Sequence, residues 1–294
     1  MNRREFVQAV AGSVLAFGGL PAVAGEKAPA KPSATDRVTL GNTKVQITRL
    51  GLGTGTNGGR VQRELGQEGF TKLVRHAYDR GLRYIDTADN YKMHPFVKNA
   101  IQGLPREELV LQTKVWLNPT PDIPKCLDRF RQELATDYFD LVLLHCVMKA
   151  TWPDDFKKHR DDLSAAKEKG IVRAVGVSTH GLTGLRTVAG CPWVEVALLR
   201  MNHDGAHMDG PTGRWAEPGS HAEAVVEIKK IRATGKGVIG MKLCGNGNFK
   251  DPDDREKAIQ FVFRNKFADA VTIGFKSPAE VDEALDRITR ALNA

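Results

Sequence analysis

Four ionisable side chains follow apolar runs, at positions where they could do chemistry together. The segment YIDTADNY, residues 84–91, ends an apolar run at Asp86 and places Tyr91 five residues later. Two further apolar runs, LVLQTKV and FDLVLLH, carry Lys114 and His145 at their ends. A carboxylate, a phenol, an ammonium and an imidazole are groups with which proteins transfer protons. Brought together, these four side chains would form an acid–base site.

Each of the four also has an ordinary structural explanation. Asp86 could cap a helix, Tyr91 could pack in a core, and Lys114 could extend its ammonium to solvent. A lone histidine such as His145 is usually a satisfied core residue. The four are therefore interpreted as a set, which requires a fold that brings them to one place.

Strand-like runs alternate with helical patterns along most of the chain. Eight apolar runs predict strands, at residues 49–54, 84–88, 109–115, 139–145, 172–178, 194–201, 237–243 and 270–275. Between them lie amphipathic stretches such as FTKLVRHAYDRG and IPKCLDRFRQELAT, and several such stretches end in glycine, as helices often do. The predicted strands are almost continuously apolar, which is typical of a parallel sheet covered by helices.

Eight strand–helix units in about 250 residues predict a closed (β/α)₈ barrel, or TIM barrel, over residues 37–294. The alternative is an open doubly wound sheet, for which GLGTGTNGG after the first strand is a weak glycine signal. We favour the barrel because the unit recurs eight times. Just before it, RVTL-GN-TKVQIT predicts an N-terminal β-hairpin. The carboxyl ends of the strands, where Asp86, Lys114 and His145 fall, are where such barrels carry their active sites.

The first residues of the chain have the pattern of a signal peptide. An arginine pair followed by Phe6 precedes a Gly- and Ala-rich apolar stretch, which ends in an A-x-A triplet at Ala24. This pattern resembles a cleaved twin-arginine (Tat) export signal. A Sec signal or a membrane anchor is the alternative, although the stretch is weak for a spanning helix and contains Pro21. We predict a signal peptide in residues 1–24 and an extended tether in residues 25–36.

Composition and charge narrow the classes of protein. The 294 residues are 41% hydrophobic and 27% charged, with a formal net charge of +8. The cations are mixed with acids, as in KDPDDREK, which favours a solvated surface over a nucleic-acid face. The four cysteines form no C-x-x-C pair, so we expect no metal–thiolate framework. Export to an oxidising compartment would permit a disulfide, although we favour buried free thiols. We expect a periplasmic protein, exported by the twin-arginine machinery and without a membrane span after cleavage.

Six stretches of sequence together carry a family resemblance. Taken in order, TRLGLGTG, GLRYIDTADNY, REELVLQTKVW, YFDLVLLH, GIVRAVGVS and IGFKSPAEVDEAL resemble the aldo-keto reductase family over nearly all of the chain after the tether. By this resemblance, Asp86, Tyr91, Lys114 and His145 fall on the family's catalytic tetrad. The resemblance implies an oxidoreductase that uses NAD(P)H to reduce an aldehyde or ketone by hydride transfer.

The chemistry that the resemblance implies fits these side chains. Hydride addition to a carbonyl requires a proton for the developing alkoxide, and a phenol with a pKa of about 10 gives up its proton reluctantly. We expect Tyr91 to be the donor, its pKa lowered by the ammonium of Lys114, which Asp86 keeps charged. His145 would orient the carbonyl oxygen, and Trp116 would form an apolar wall for the substrate.

The resemblance also implies a nicotinamide site, for which we expect NADP(H) rather than NAD(H). Ten residues match the family's cofactor positions, and they lie near the ends of predicted strands. They are Gly53, Thr54, Ser178, Thr179, Met241, Lys242, Leu243, Lys276, Ser277 and Glu280. Several of them depart from the family pattern. Met241 replaces a stacking aromatic, Lys242 replaces a serine, and Thr179 stands where asparagine is common. Glu280 falls where many NADPH-dependent members carry arginine, and it would repel a 2′-phosphate unless nearby lysines offset its charge.

A histidine- and aspartate-rich loop follows the sixth predicted strand. The segment NHDGAHMDGPTGRWAEPGSH offers imidazole and carboxylate groups that could serve a metal-assisted hydrolase. Turn chemistry explains most of these residues, so we predict no metal site. We expect instead a loop that covers the substrate or contacts a second subunit, from which Trp215 could reach the pocket.

An alternative functional class is an exported TIM-barrel binding protein with weak or no turnover. Met241 in place of the stacking aromatic would fit such a protein. The intact tetrad favours the enzyme, because a decayed site would be expected to lose at least one of the four residues. The substrate is left open beyond a small carbonyl compound, since it depends on loops that vary freely in this fold.

Overall fold

A short antiparallel hairpin precedes the barrel in the computed structural model, which describes residues 31–211, 219 and 221–294. Its strands are β1 (Arg37–Thr39) and β2 (Gln46–Thr48), which confirms the predicted hairpin. The predicted signal peptide lies outside the described residues, as does the first half of the predicted tether. In the second half, Ala34 is fully buried and its carbonyl oxygen accepts a hydrogen bond from the Leu50 amide at 3.0 Å. The chain therefore packs on the barrel before β1 begins.

Eight parallel strands close into a barrel, and all eight predicted strands are confirmed. Each strand is hydrogen-bonded to the next along the chain, and the last pairs with the first. The strands are β3 (Leu50–Gly53), β4 (Tyr84–Asp86), β5 (Val110–Trp116), β6 (Phe139–Val147), β7 (Val172–Thr179), β8 (Val196–Arg200), β9 (Gly237–Met241) and β10 (Ala270–Ile273). The predicted TIM barrel is confirmed, and the open-sheet alternative is wrong.

Helices surround the barrel and bury their apolar faces against it. They are α1 (Arg60–Arg63), α2 (Gly66–Asp79), α3 (His94–Ile101), α4 (Ile123–Leu134), α5 (Trp152–Asp155), α6 (Lys157–Glu168), α7 (Leu182–Val188), α8 (His221–Ala233), α9 (Pro252–Arg264) and α10 (Pro278–Leu292). Capping explains several of the boundaries: α4, for example, begins where the Asp122 side chain accepts from the Lys125 amide at 3.2 Å. In the part of the chain that the structure describes, none of the helices has both the length and the apolar character needed to cross a membrane.

The inside of the barrel is apolar at one end and polar at the other. Apolar residues that include Tyr84, Val110 and Leu141 form an inner cluster with Leu40 and Ile47, from either side of the hairpin turn, which closes the amino end of the barrel. Side chains alternate between the two faces of a strand, so residues two positions further along these strands also face inward. On β4, β5 and β6, the inward positions towards the carboxyl end include the polar side chains of Asp86, Gln112, Lys114 and His145. The strand alternation thereby places the predicted catalytic residues inside the barrel mouth.

A glycine in β3 makes room for the largest side chain of the inner cluster. Gly51 pairs in register with Tyr84, and a Cβ atom at Gly51 would overlap the Tyr84 ring. We expect Gly51→Ala to lower the free energy of unfolding by about 1–3 kcal/mol through overpacking, measured by urea unfolding. Gly190→Ala is the control, because a Cβ there would lie 3.9 Å from the nearest atom, the Thr187 carbonyl oxygen. Equal losses for the two variants would contradict a tightly filled barrel.

Candidate active site

A buried ion pair lies at the carboxyl ends of β4 and β5. Lys114 Nζ lies 2.5 Å from Asp86 Oδ1 and donates a second hydrogen bond to the Thr87 carbonyl oxygen at 2.8 Å. Lys114 is fully buried and Asp86 is 4% exposed. Burial lowers the pKa of Lys114, while the charge of Asp86 opposes that change. Each charge therefore depends on the other, since an unpaired charge at this depth would be costly.

Two neighbouring residues fix the position of Asp86. Gln112 Nε2 donates to Asp86 Oδ1 at 2.6 Å. Thr54, which was predicted as a cofactor residue, donates from both its amide at 2.9 Å and its hydroxyl at 3.0 Å to the Asp86 carbonyl oxygen. Gln112 was not predicted from the sequence. Its position two residues before Lys114 on β5, and so on the same inward face, was the signal that could have identified it.

Tyr91 and His145 lie beside this ion pair. The Tyr91 hydroxyl is 3.4 Å from His145 Nε2, and Lys114 Nζ lies 4.8 Å from the centre of the Tyr91 ring. Trp116 packs edge-on against His145, with ring centres 5.3 Å apart. The structure thus brings all four predicted catalytic residues together, with the predicted apolar wall in contact with the histidine.

The turn that carries Tyr91 is fixed by residues that the sequence analysis did not single out. His94, at the start of α3, is buried between Glu133, whose Oε2 lies 2.7 Å from its Nδ1, and Thr113, whose hydroxyl lies 2.9 Å from its Nε2. Arg63 donates to the Tyr91 carbonyl oxygen. His94 belongs to the YKMH segment, so the residues just after Tyr91 supply an anchor for the turn.

Burial determines the protonation of Tyr91 and His145. It raises the pKa of Tyr91 well above its ordinary value, with a further contribution from the charge of Asp86. It lowers the pKa of His145 well below its ordinary value, and the charge of Lys114 adds to that effect. The expected lowering of the Tyr91 pKa by Lys114 is therefore wrong for this structure. The ammonium is paired with a carboxylate, so the two charges largely cancel at the phenol and burial dominates.

A cavity of about 500 Å³ opens beside Asp86 and Tyr91 and extends to α10. Six of the residues predicted to bind the cofactor line it, namely Gly53, Met241, Lys242, Leu243, Lys276 and Glu280. The other four, Thr54, Ser178, Thr179 and Ser277, lie outside its lining. Trp215, the second predicted substrate residue, falls outside the described residues.

Comparison with known proteins identifies the family of this chain. Residues 49–293 match the model of the Aldo/keto reductase family. The chain belongs to the aldo/keto reductase family. Solved structures share its fold: the aldo-keto reductase AKR11C1 from Bacillus halodurans (holo form) has a TM-score of 0.68 at 16% identity, over 87% of this chain and 95% of that one. MGS-M4, an aldo-keto reductase enzyme from a Medee basin deep-sea metagenome library, has a TM-score of 0.64 at 19% identity, over 87% and 93%.

Curated aldo/keto reductase relatives match over shorter stretches. Glycerol 2-dehydrogenase (NADP(+)) from Saccharomyces cerevisiae is 32% identical over 156 residues, which cover 51% of this chain and 46% of that protein. The 9,11-endoperoxide prostaglandin H2 reductase from Trypanosoma cruzi is 37% identical over 156 residues, 50% of each chain. Methylglyoxal reductase DkgA from Yersinia pestis is 34% identical over 119 residues, 38% of this chain and 41% of that protein. The chain thus spans about half the length of these relatives or less.

Two of the residues predicted to bind the cofactor use their hydroxyl groups within the protein. Ser178 Oγ accepts from the Cys146 amide at 2.9 Å, and Thr179 Oγ1 donates to Asp209 Oδ2 at 2.9 Å. Asp209 belongs to the histidine- and aspartate-rich loop and also lies 3.6 Å from Arg200 Nε, with both side chains buried. Asp209 therefore ties this loop to the ends of β7 and β8.

The histidines of that loop contact different residues and do not converge on one point. His203 Nε2 lies 3.7 Å from Asp254 Oδ1, and His207 Nε2 lies 3.2 Å from Asn248 Nδ2. Within residues 31–211, 219 and 221–294, no three His, Cys, Asp or Glu side chains are placed to hold a metal ion.

Ser277 and Glu280 form a variant of the capping box at the start of α10, in which the glutamate accepts from the residue before the N-cap. Ser277 Oγ accepts from the Glu280 amide at 3.4 Å, and Glu280 Oε2 accepts from the Lys276 amide at 2.7 Å. A carboxylate is favoured at a helix amino end, where the backbone N–H groups are unsatisfied. The glutamate that departs from the aldo/keto reductase pattern thus has a structural role, although it also lines the cavity.

Lys242 places a cation in the cavity wall, where the family usually has a serine. Its Nζ donates to Asn246 Oδ1 at 2.8 Å. Burial lowers its pKa to about 7, and the charges of Arg200 and Lys114 add to the effect. An anion bound in the cavity would restore the charge of this ammonium.

A double-mutant cycle tests the coupling between Asp86 and Lys114. Asp86→Asn and Lys114→Met each leave one buried group without its partner, so each should lower the free energy of unfolding by about 3–5 kcal/mol. The double variant should lose less than the sum, with a coupling of about 1–3 kcal/mol by urea unfolding of the cofactor-free protein. The exposed pair Lys157 and Asp161, 2.6 Å apart on α6, is the control and should couple by less than about 1 kcal/mol. Additive losses at the buried pair would contradict the proposal that the charges of Asp86 and Lys114 depend on each other.

Proposed function

We propose that this protein is a nicotinamide-dependent carbonyl reductase that converts an aldehyde or ketone to the alcohol, with Tyr91 as the proton donor. The arrangement that supports the proposal most strongly is a protonated phenol beside a neutral imidazole and a buried ammonium–carboxylate pair, all next to a ligand-sized cavity. The names of two of the relatives, glycerol 2-dehydrogenase and methylglyoxal reductase, describe chemistry between an alcohol and a carbonyl group, which supports the proposal.

The cavity suits a dinucleotide in size and charge. Its volume is within the range of about 300–1,000 Å³ that ligand sites usually have. Five basic side chains suited to phosphate groups line the cavity: Lys242, Lys250, Arg255, Lys276 and Arg287. Lys242 and the backbone beside it would hold the pyrophosphate, and the residues near α10 would hold the adenosine part. When bound there, a reduced nicotinamide supplies the hydride.

The protein's own groups handle the proton. Tyr91 donates its phenolic proton to the carbonyl oxygen as that oxygen becomes an alkoxide, which is a stronger base than the phenolate left behind. The raised pKa of Tyr91 keeps this proton in place at neutral pH. The ammonium of Lys114 lies 4.8 Å from the ring centre, but its pairing with Asp86 leaves little net charge to act on the phenolate. Burial keeps His145 neutral, and in the tautomer with its proton on Nε2 the imidazole would donate a hydrogen bond to the same carbonyl oxygen and orient it.

We expect NADP(H) rather than NAD(H) as the cofactor. The yeast relative carries NADP(+) in its name. The cations that line the cavity outnumber the carboxylates, Asp86, Glu280 and Glu283, which favours the more highly charged dinucleotide.

Replacing Tyr91 tests the proposed donor. Tyr91→Phe removes the proton while keeping the ring, so it should lower kcat for NADPH-dependent reduction of a nitrobenzaldehyde by about 10²-fold or more. The Kd for NADPH, from fluorescence titration, should stay within about twofold, because the lost hydroxyl contacts the substrate. Tyr138→Phe is the control. Tyr138 lies just before the amino end of β6, at the opposite end of that strand from His145, so this variant should keep wild-type turnover.

Two outcomes would count against the proposal in different ways. A Tyr91→Phe enzyme with wild-type turnover would show that another group donates the proton. A wild-type protein that binds NADPH but reduces none of a panel of aldehydes and ketones would favour the alternative, an exported binding protein.

We also infer that the protein is exported in its folded state by the twin-arginine machinery. The arginine pair before Phe6, the modest apolar stretch and the A-x-A triplet at Ala24 support this inference. Nicotinamide cofactors are made and recycled in the cytoplasm. Folded export would allow the barrel to bind its cofactor before it crosses the membrane.

Cell fractionation tests the export route. Wild-type protein should be periplasmic, with a mature amino terminus near Gly25 by mass spectrometry and with bound cofactor. The Arg3→Lys, Arg4→Lys double variant should accumulate as full-length precursor in the cytoplasm. An uncleaved, cytoplasmic wild-type protein would contradict the signal peptide, whereas an exported protein that always lacks cofactor would contradict only the loading step.

A further inference from the structure

The part of the cavity next to α9 and α10 carries an excess of positive charge. Four cations line this part, Lys250, Arg255, Lys276 and Arg287, together with two carboxylates, Glu280 and Glu283. The difference of two charges matches a phosphate monoester, which carries about −1.5 to −2 at neutral pH. A neutral adenosine would not require such a surplus.

The two carboxylates are already engaged by the protein. Glu280 accepts from the Lys276 amide in the capping box at the start of α10. Glu283 Oε1 is shared by Arg255 Nε at 2.9 Å and Arg287 Nε at 2.8 Å. Both carboxylates therefore accept hydrogen bonds from the protein. Because Glu280 is engaged in this way, its charge does not prevent a phosphate from binding in this part of the cavity.

Of the two arginines, Arg255 has more capacity for a further anion. Arg287 contacts two carboxylates, since its Nη1 also donates to Glu256 Oε2 at 2.6 Å. Among the described carboxylates, Arg255 contacts Glu283 alone. Its Nη1 donates to the carbonyl oxygens of Lys250 at 2.7 Å and Phe249 at 3.3 Å. Within the described residues, Arg255 Nη2 has no hydrogen-bond partner, and the side chain is 25% exposed. A guanidinium held in this way presents a fixed edge to a phosphate.

Lys250 places a second cation next to this guanidinium. The hydrogen bond from Arg255 to the Lys250 carbonyl oxygen keeps the two residues adjacent in the cavity wall. The Lys250 side chain is exposed, and among the described residues its ammonium has no carboxylate within ion-pair distance. Both residues come from the segment after β9, not from α10.

We propose that Arg255 and Lys250 bind the 2′-phosphate of NADP(H), an inference that rests on the proposed function. Selectivity for NADP(H) over NAD(H) then comes from the loop after β9 and the start of α9. The α10 position that carries arginine in many relatives is occupied by Glu280, which caps the helix. The cations after β9 thus replace the missing arginine.

Binding of intact and truncated cofactors tests this assignment without turnover. The probes are NADPH, NADH, 2′-phospho-ADP-ribose and ADP-ribose, titrated into the full-length protein by tryptophan fluorescence or calorimetry. Lys250→Gln should raise the Kd of both phosphorylated probes about three- to tenfold, and Arg255→Gln about tenfold or more, the scale of a charge-assisted hydrogen bond. The Kd values of NADH and ADP-ribose should stay within about twofold for Lys250→Gln, which breaks no contact in the structure.

Control variants separate a phosphate ligand from a general effect of charge or folding. Lys257→Gln, on α9 but outside the cavity lining, should leave all four Kd values within about twofold. Arg255→Lys, which retains the charge, should recover part of the affinity for the phosphorylated probes. An unchanged NADPH-to-NADH ratio in both Lys250→Gln and Arg255→Gln would overturn the assignment while leaving the reductase intact. A wild-type protein that binds neither NADPH nor NADH would overturn the proposed function as well.

Discussion

The pairing of one buried ammonium with one buried carboxylate constrains the whole barrel mouth. Lys114 is fully buried at the end of β5, and a charge at that depth is stable only with a fixed partner. Asp86 is that partner, and its backbone and side chain are held in turn by Thr54 and Gln112. The strand ends of β3, β4 and β5 are thus locked together by hydrogen bonds to a single carboxylate residue. The tight packing at the amino end, where Tyr84 fills the barrel, leaves these polar groups confined to the other end.

The same pairing determines what Tyr91 can do. Because Asp86 cancels most of the charge of Lys114, the phenol responds mainly to its own burial and stays protonated. A protonated phenol next to a neutral His145 is suited to give a proton to a carbonyl oxygen. In this account the ion pair adds little net charge at the phenol, so Tyr91 keeps its proton until a stronger base, a developing alkoxide, takes it.

The sequence was most informative where a residue's role follows from its place in a regular element. The eight strands and the position of Asp86, Lys114 and His145 at their ends could be predicted, because a parallel barrel brings all carboxyl ends to one face. The residues around Glu280 carried a further local signal, since Ser-x-x-Glu is the pattern of a capping box. The sequence analysis assigned Glu280 only to the cofactor, because the family comparison drew attention to its charge.

Roles that depend on contacts between distant elements could not be predicted in the same way. Ser178 and Thr179 bind the Cys146 amide and Asp209, partners that come from other strands and loops. The direction of the Tyr91 pKa shift likewise depends on how completely Asp86 compensates Lys114, and spacing along the chain does not contain that information. The surplus of cations near α9 emerges only when the segments after β9 and β10 are brought to one cavity.

A direct titration of Tyr91 tests the central claim about the ion pair. Phenolate formation is followed by ultraviolet difference absorbance in the cofactor-free protein, with Tyr91→Phe subtracted to isolate this one residue. We expect Tyr91 to remain protonated up to and beyond a pH of about 10, the ordinary pKa of tyrosine. In Asp86→Asn, which removes the carboxylate charge that adds to the effect of burial, the pKa of Tyr91 should be lower than in the wild type. A wild-type Tyr91 that ionises well below pH 10 would show that Lys114 acts on the phenol as an uncompensated charge, and would contradict the account.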